Sequence, residues 1–525
     1  MRTNPFVAHA TVRRAVLLSA LFTVASPLPA AEVSVAVDTR SVTNTMRGGI
    51  GASWHAIENP ITTKFDPVFR MTDHGGSGWG ANPPAEDNGA WQQLYRHASW
   101  LGMDFVRVEL EQRMYEPERK AFDWDNPEMR ILYRILDWCQ KNDVDVFLTQ
   151  MWSNVKWNAF PEFRDRPAGI VHSGPYSMDD FAQGLATCVE HLVKKKGYTC
   201  VKWLCITNEP TYKWSWWNRP PNEPMPLRPG LEAVRAALDK RNVGVRLLAP
   251  DTVGVPPFNP DSMDFHDLVG GYDFHWYDAR FDWEKGHTIS AGAERLAEWA
   301  KWSHARDEGV FITELGTRAF GGGGNQPTHP GPNSYEAALQ NAELVVRGIA
   351  AGADAFNRWS FNNRGDLDGQ FQMVDTWDRE HNRLRTDFTA CPNAYFVYGL
   401  LSRFTAKHSA VLASSVDGGR VDDLPRVFAT ALRSPRGNLT LAVLNDAPTA
   451  WDATWQLRGL AGQVRLFRYA VWRDDRDRPD LAIEPQAEFL LSPAAPQFSD
   501  RVKPSSVTVY ATYRLRHGDP GIIGD

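Results

Sequence analysis

The chain has 525 residues, with 57 Lys and Arg against 63 Asp and Glu, a formal charge of -6, and 43% apolar residues. That acidic balance disfavours a nucleic-acid partner, which selects for a basic surface. The length exceeds one ordinary core and predicts two domains. The 21 tryptophans are costly to bury completely, so some are expected to line a surface groove.

In chain order, residues 1–30 read as a secretory signal. Arg13 and Arg14 precede an apolar run, and Pro29-Ala30-Ala31 offers small residues for cleavage near Ala30 or Ala31. The expected destination is periplasmic or extracellular. Cleavage would remove Arg2, Arg13 and Arg14 and no acid, taking the formal charge from -6 to -9. No later segment reaches the roughly 18 apolar residues that a membrane span requires. An alternating segment at 32–42 reads as a strand.

From 47 to 403, short apolar strands alternate with amphipathic helices. Strands are predicted at 48–53, 104–109, 145–150, 201–207, 246–249, 272–275, 310–313 and 355–359. Helices are predicted at 91–101, 127–142, 179–196, 230–241, 291–306 and 335–351. Eight such strands predict a closed (β/α)₈ TIM barrel, an α/β fold. From 404 to 525 the period changes to two, with strands at 427–432, 439–444, 464–469 and 507–513, the pattern of a β-sandwich. The segment 31–46 is expected to pair with that sandwich and join the two domains. Gly321 to Gly324 reads as a rim loop. Asp366-Leu367-Asp368-Gly369 reads as a solvated turn, lacking the alternating ligands of a calcium loop.

The five cysteines (139, 188, 200, 205 and 391) are odd in number and form no C-x-x-C pair. They read as buried apolar residues with one or two bridges at most, Cys188 with Cys200 being a candidate. The 14 histidines show no H-E-x-x-H spacing. No metal and no cofactor is expected.

The chemistry concentrates at two strand ends. Val201 to Thr207 runs into Asn208-Glu209-Pro210, and Val310 to Thr313 runs into Glu314. From Glu209 to Glu314 is 105 positions (314 − 209), room for three strand–helix units, so the two would end strands four and seven on one rim. Two carboxyl groups on one rim are what glycosidic cleavage needs. One protonates the leaving oxygen, and the other attacks or stabilises the sugar carbon. The other strand ends carry Trp54 and His55, Arg107 and Glu109, Trp152 and Asn154, His275, Trp276 and Tyr277, and Trp359. The run from Tyr212 to Trp217, with Trp214, Trp216 and Trp217, reads as a subsite wall, because a packed core would not take so many consecutive rings.

With these motifs the chain resembles clan A of the retaining glycoside hydrolases, in which an Asn-Glu motif ends strand four and a second glutamate ends strand seven. Gly48 to Trp54 looks like the first strand of the glucuronoxylanase and glucosylceramidase type, and the xylosidase and iduronidase type is similar. The resemblance implies Glu209 as acid/base and Glu314 as nucleophile. Arg107 and Tyr277 would keep Glu314 ionised, and Asn208 would hold a sugar hydroxyl. His275 would orient Glu209 or the substrate, and Trp359 would lie under the sugar, with Trp54, Trp152 and Trp214 as further substrate contacts. The partner is then a carbohydrate, cleaved with retention. A catalytically inactive carbohydrate-binding barrel and a transglycosylase fit the same residues.

Overall fold

The computed structural model describes residues 31–56, 81–164, 169–213, 215–277, 288–317, 333–363, 371–378, 380–381 and 383–523. The segment read as a signal, residues 321–324, residues 366–369 and Trp214 lie outside these residues.

All eight barrel strands are present, at Ile50–Trp54, Phe105–Glu111, Asp145–Trp152, Val201–Cys205, Arg246–Val253, Gly271–Trp276, Gly309–Leu315 and Ala355–Asn363. Each pairs in parallel with the next, and the seventh closes on the eighth through Phe311↔Ala355. Both faces of such strands are buried, which is why they read as apolar runs. Alternate side chains point in and out. On the second strand Val106, Val108 and Leu110 face the helical layer, while Phe105 sits inside with Phe147, Trp203, Leu248, Phe311 and Ala355. These six close the barrel floor, so the polar residues two and four positions further along point into the mouth.

The helices follow the expected order. Tyr335–Ala351 starts where Ser334 accepts a hydrogen bond from the backbone N–H of Ala337, and it stops at Gly352, with φ 100°. No helix among the described residues is long and apolar enough to cross a membrane.

The second unit is one continuous nine-stranded, mostly antiparallel sheet. Its order is Ala487–Leu491, Val464–Trp472, Ser506–Ala511, Leu439–Asn445, Val427–Arg433, Ala410–Gly418, Ala31–Thr45, Trp451–Arg458, Gln497–Val502. The sheet folds over a core containing Val35, Trp455, Phe498 and Tyr510, and its two edges meet where Phe489 lies 4.5 Å from Phe498. Strand Ala31–Thr45 lies inside this sheet. It pairs antiparallel with Ala410–Gly418 (Val35↔Val416) and parallel with Trp451–Arg458 (Val35↔Trp455). The other face of the sheet packs on the barrel. Phe404 meets Tyr469 at 4.4 Å, and Tyr335 donates to the Ser505 carbonyl at 2.6 Å.

None of the five cysteines is in a disulfide, and the Cys188–Cys200 bridge does not form. The Cys188 side chain is committed to the buried face of helix Met178–Glu190, while Cys200 Sγ approaches the Leu136 carbonyl at 3.9 Å.

Candidate active site

The parity of the second strand places Arg107 above the Phe105 layer, fully buried. Its guanidinium donates through Nη1 to Glu314 Oε2, through Nη2 to Asn208 Oδ1 at 2.6 Å, and through Nε to Thr149 Oγ1 at 3.2 Å. Arg107 therefore ties strands two, three, four and seven together at one point.

Glu314 would fall on the outward face in a regular strand, because Phe311 points in. A register shift between Ile312 and Glu314 against the sixth strand re-aims it, as bulges beside active sites do. Its second oxygen accepts a hydrogen bond from the Tyr277 hydroxyl. The nearest oxygens of Glu209 and Glu314 lie within 4.8 Å of each other and of a His275 ring nitrogen.

Glu209 adopts φ +46°, the left-handed region, immediately beyond the fourth strand. Its backbone N–H is taken by Asp251 Oδ2 at 3.1 Å, and its Oε1 meets His275 Nδ1 at 2.6 Å. Burial pushes the Glu209 carboxyl above its ordinary pKa. The His275 charge opposes this, and the Glu314 and Asp251 charges reinforce it. His275 Nε2 reaches Asp251 Oδ1 at 2.9 Å. Burial works against the imidazolium, yet the charges of Asp251, Glu314 and Glu209 hold its pKa well above the ordinary histidine value. Asp251 is likewise opposed by burial and is held below its usual value chiefly by His275. When both ring nitrogens carry protons, His275 donates to the Glu209 and Asp251 carboxyl groups.

The opposite wall is Trp359, 4% exposed. His55 meets it edge-on at 4.7 Å, and the Arg107 guanidinium carbon lies 5.6 Å from its ring. His55 Nδ1 is 3.2 Å from Glu109 Oε2, and Glu109 Oε1 is 3.5 Å from Arg107 Nε. Burial raises the Glu109 pKa to about 7 against the pull of Arg107. Trp152 and Tyr277, both half-buried, pack against Met151, Trp359 and Phe371 at the mouth.

Arg107, Asn208, Glu209, His275, Tyr277, Glu314 and Trp359 are thus brought together, with Trp152 beside them. Trp54 is not. Strand parity sends it outward, where it is fully buried between Trp91 at 6.1 Å and Phe361 at 4.7 Å, with its indole N–H on Asn82 Oδ1 at 2.9 Å. The inward residue at that strand end is His55. Trp216 and Trp217 are also core residues, packed edge-to-face at 5.2 Å and against Phe181. From this run Tyr212 is 43% exposed. Asp251 and Asp273 were not singled out from the sequence. The available signal was Pro250-Asp251 at the end of strand five, the same rim position that marks the other site residues.

No family model matches the sequence, and neither does any curated protein. Solved structures do match in three dimensions. A glycoside hydrolase family 30 subfamily 8 xylanase from Clostridium acetobutylicum is 13% identical with TM-score 0.57, over 91% of this chain and 99% of that one. An α-L-arabinofuranosidase from Thermotoga maritima, in complex with arabinose, is 13% identical with TM-score 0.60, over 92% and 100%. An endo-β1,6-glucanase is 14% identical with TM-score 0.57, over 92% and 94%. The chain has the fold of these glycoside hydrolases. Near full coverage of both partners means that the glycoside hydrolase fold here includes the sheet unit as well as the barrel. The enzymes named act on different sugars, so the shared fold does not by itself imply any one substrate.

Proposed function

We propose that this chain is a secreted retaining glycoside hydrolase that cleaves a β-glycosidic bond of a poly- or oligosaccharide. Its units are 31–46 with 404–525 as the sheet domain and 47–403 as the catalytic barrel. The observation that carries the reading is the approach of the Glu209 and Glu314 oxygens to within 4.8 Å. Retaining enzymes hold their carboxyl groups about 5–5.5 Å apart, whereas inverting enzymes leave roughly 6.5–9.5 Å for a water molecule.

The two carboxyl groups also have opposite environments, as an acid and a nucleophile require. Burial favours the neutral acid at Glu209. Glu314 accepts hydrogen bonds from the Arg107 guanidinium and the Tyr277 hydroxyl. Glu314 attacks the anomeric carbon while the Glu209 proton passes to the departing glycosidic oxygen, leaving a glycosyl ester on Glu314. Glu209, now a carboxylate, takes a proton from water. The water oxygen displaces Glu314, and the sugar leaves with its configuration retained. In this reading Asn208, anchored by Arg107, holds a hydroxyl beside the reacting carbon, and Trp359 forms the platform under the ring.

The test is hydrolysis of aryl β-glycosides and plant, algal and bacterial polysaccharides by wild type, Glu209→Gln and Glu314→Gln, with product anomers followed by NMR. Retained products lost in Glu314→Gln support the proposal. Inverted products, or turnover that survives both substitutions, would overturn it.

A further inference from the structure

Behind the Glu209–His275 contact lies a carboxyl group that the mechanism above does not use. Asp273 precedes His275 by two positions on the sixth barrel strand, so the two side chains share the inward face. Asp273 and Asp251 are both fully buried. An oxygen of each, together with Cys205 Sγ, lies within 4.8 Å of the others. Asp273 Oδ1 accepts the backbone N–H of Asp251 at 2.9 Å, and Thr313 Oγ1 stands 3.5 Å from Asp273 Oδ2.

The neighbouring charges are already committed. Asp251 spends Oδ1 on His275 and Oδ2 on the Glu209 N–H. Arg107 is engaged by Glu314 and Asn208, with Glu109 beside it. Among the described residues no cation contacts Asp273. Two buried carboxyl groups this close, with an imidazolium in contact with only one of them, do not both ionise. Asp251 touches the imidazolium and is the anion, which leaves the proton on Asp273.

We propose that Asp273 is a positioning residue that keeps its proton through the catalytic cycle, so that Asp251 remains the single anion at His275 Nε2 and the pH at which Glu209 releases its proton is fixed. Asp273 acts on Glu209 only through Asp251 and His275 and touches no substrate. The titratable and charged groups facing Asp273 and its two relays are Asp251 on the fifth strand, Cys205 on the fourth, His275 on its own strand, and Arg107, Glu209 and Glu314 above. Direct attraction between Asp273 and a cation is not needed. Burial and the Asp251 charge push the Asp273 carboxyl well above its ordinary value, against the opposing pull of His275.

Asparagine reproduces a protonated aspartic acid in both roles, its carbonyl accepting from the Asp251 N–H and its amide donating. Asp273→Asn is therefore expected to leave the basic limb of the kcat/KM profile where it is. Asp273→Ala strips the acceptor and is expected to displace that limb by about one pH unit. A shift of a unit or more in Asp273→Asn would mean that an anion had been removed, and would overturn the proposal. This kinetic comparison rests on Glu209 being the proton donor. A second measurement does not: the infrared difference spectrum of the full chain, wild type minus Asp273→Asn, at neutral pH. A carbonyl band of a buried protonated acid supports the proposal. A carboxylate band refutes it, whether or not the chain cleaves sugars.

Discussion

Replacing His275 by glutamine removes a buried cation while keeping a side chain that can make one of its two hydrogen bonds. His275 contacts Glu209 Oε1 at 2.6 Å and Asp251 Oδ1 at 2.9 Å, with no exposed surface. In the wild type its charge pulls the Glu209 pKa down against burial. A hydrogen bond to a charged group contributes about 1.5–3 kcal/mol, or roughly one to two pH units. The basic limb of kcat/KM, which reports the free enzyme's acid, should therefore move up by about that much.

Stability should change with a definite sign. Asp251, whose folded pKa is depressed, contributes stability above its unfolded value that is lost as pH falls through the folded one. His275, whose folded pKa is raised, contributes stability below its unfolded value that is lost as pH rises through the folded one. The variant strands Asp251 as a buried anion, a loss of about 3–5 kcal/mol in urea denaturation near pH 6. That deficit should close as pH drops below about 4, where the unfolded carboxyl is also protonated. A basic limb that stays put or moves down, with a stability deficit independent of pH, would refute the assignment of His275 as the charge between Glu209 and Asp251.

Tyr277→Phe deletes the hydroxyl that donates to Glu314 and should lower kcat/KM roughly 10- to 100-fold with the melting temperature nearly unchanged. Trp217→Ala should cost about 3–5 kcal/mol in urea denaturation, whereas Tyr212→Ala, at a 43% exposed position, should leave stability alone and alter the KM for oligosaccharides. Gly51→Ala would place a Cβ 1.8 Å from the Phe105 carbonyl oxygen, so a loss of about 3 kcal/mol or more is expected by the same assay. Thiol titration should find five reactive groups after denaturation and at most the half-buried Cys391 before it.

The barrel was legible because its strands are buried on both faces and flanked by amphipathic helices. Helix Tyr335–Ala351 falls on its expected bounds because a capping serine and a glycine stop frame it. The pairing of the N-terminal strand with the sheet domain was readable from period-two alternation. Legibility failed where direction mattered more than position. Trp54 and His55 share a strand end, and only the pleat decides that the imidazole faces inward. Trp216 and Trp217 looked like a wall because consecutive rings rarely all pack, yet a turn lets both reach the core. Asp251 is not legible because the predicted strand stops at Ala249, before Pro250, whereas the strand runs on to Val253. Glu314 was found by its place at a strand end, and the bulge that turns it inward left no mark in the sequence.

The strand Ala31–Thr45 has partners that begin at Ala410 and Trp451. As the polypeptide is synthesised, this strand must wait for some 380 residues (31 to 410) before either neighbour exists. During that interval its Val33, Val35 and Val37 ridge is an unpaired β-edge, open to association with other chains. The sheet domain is therefore the last unit to assemble. When it does, it ties Ala31–Thr45 to strands that follow the barrel in the chain, so loosening of either is felt by the other.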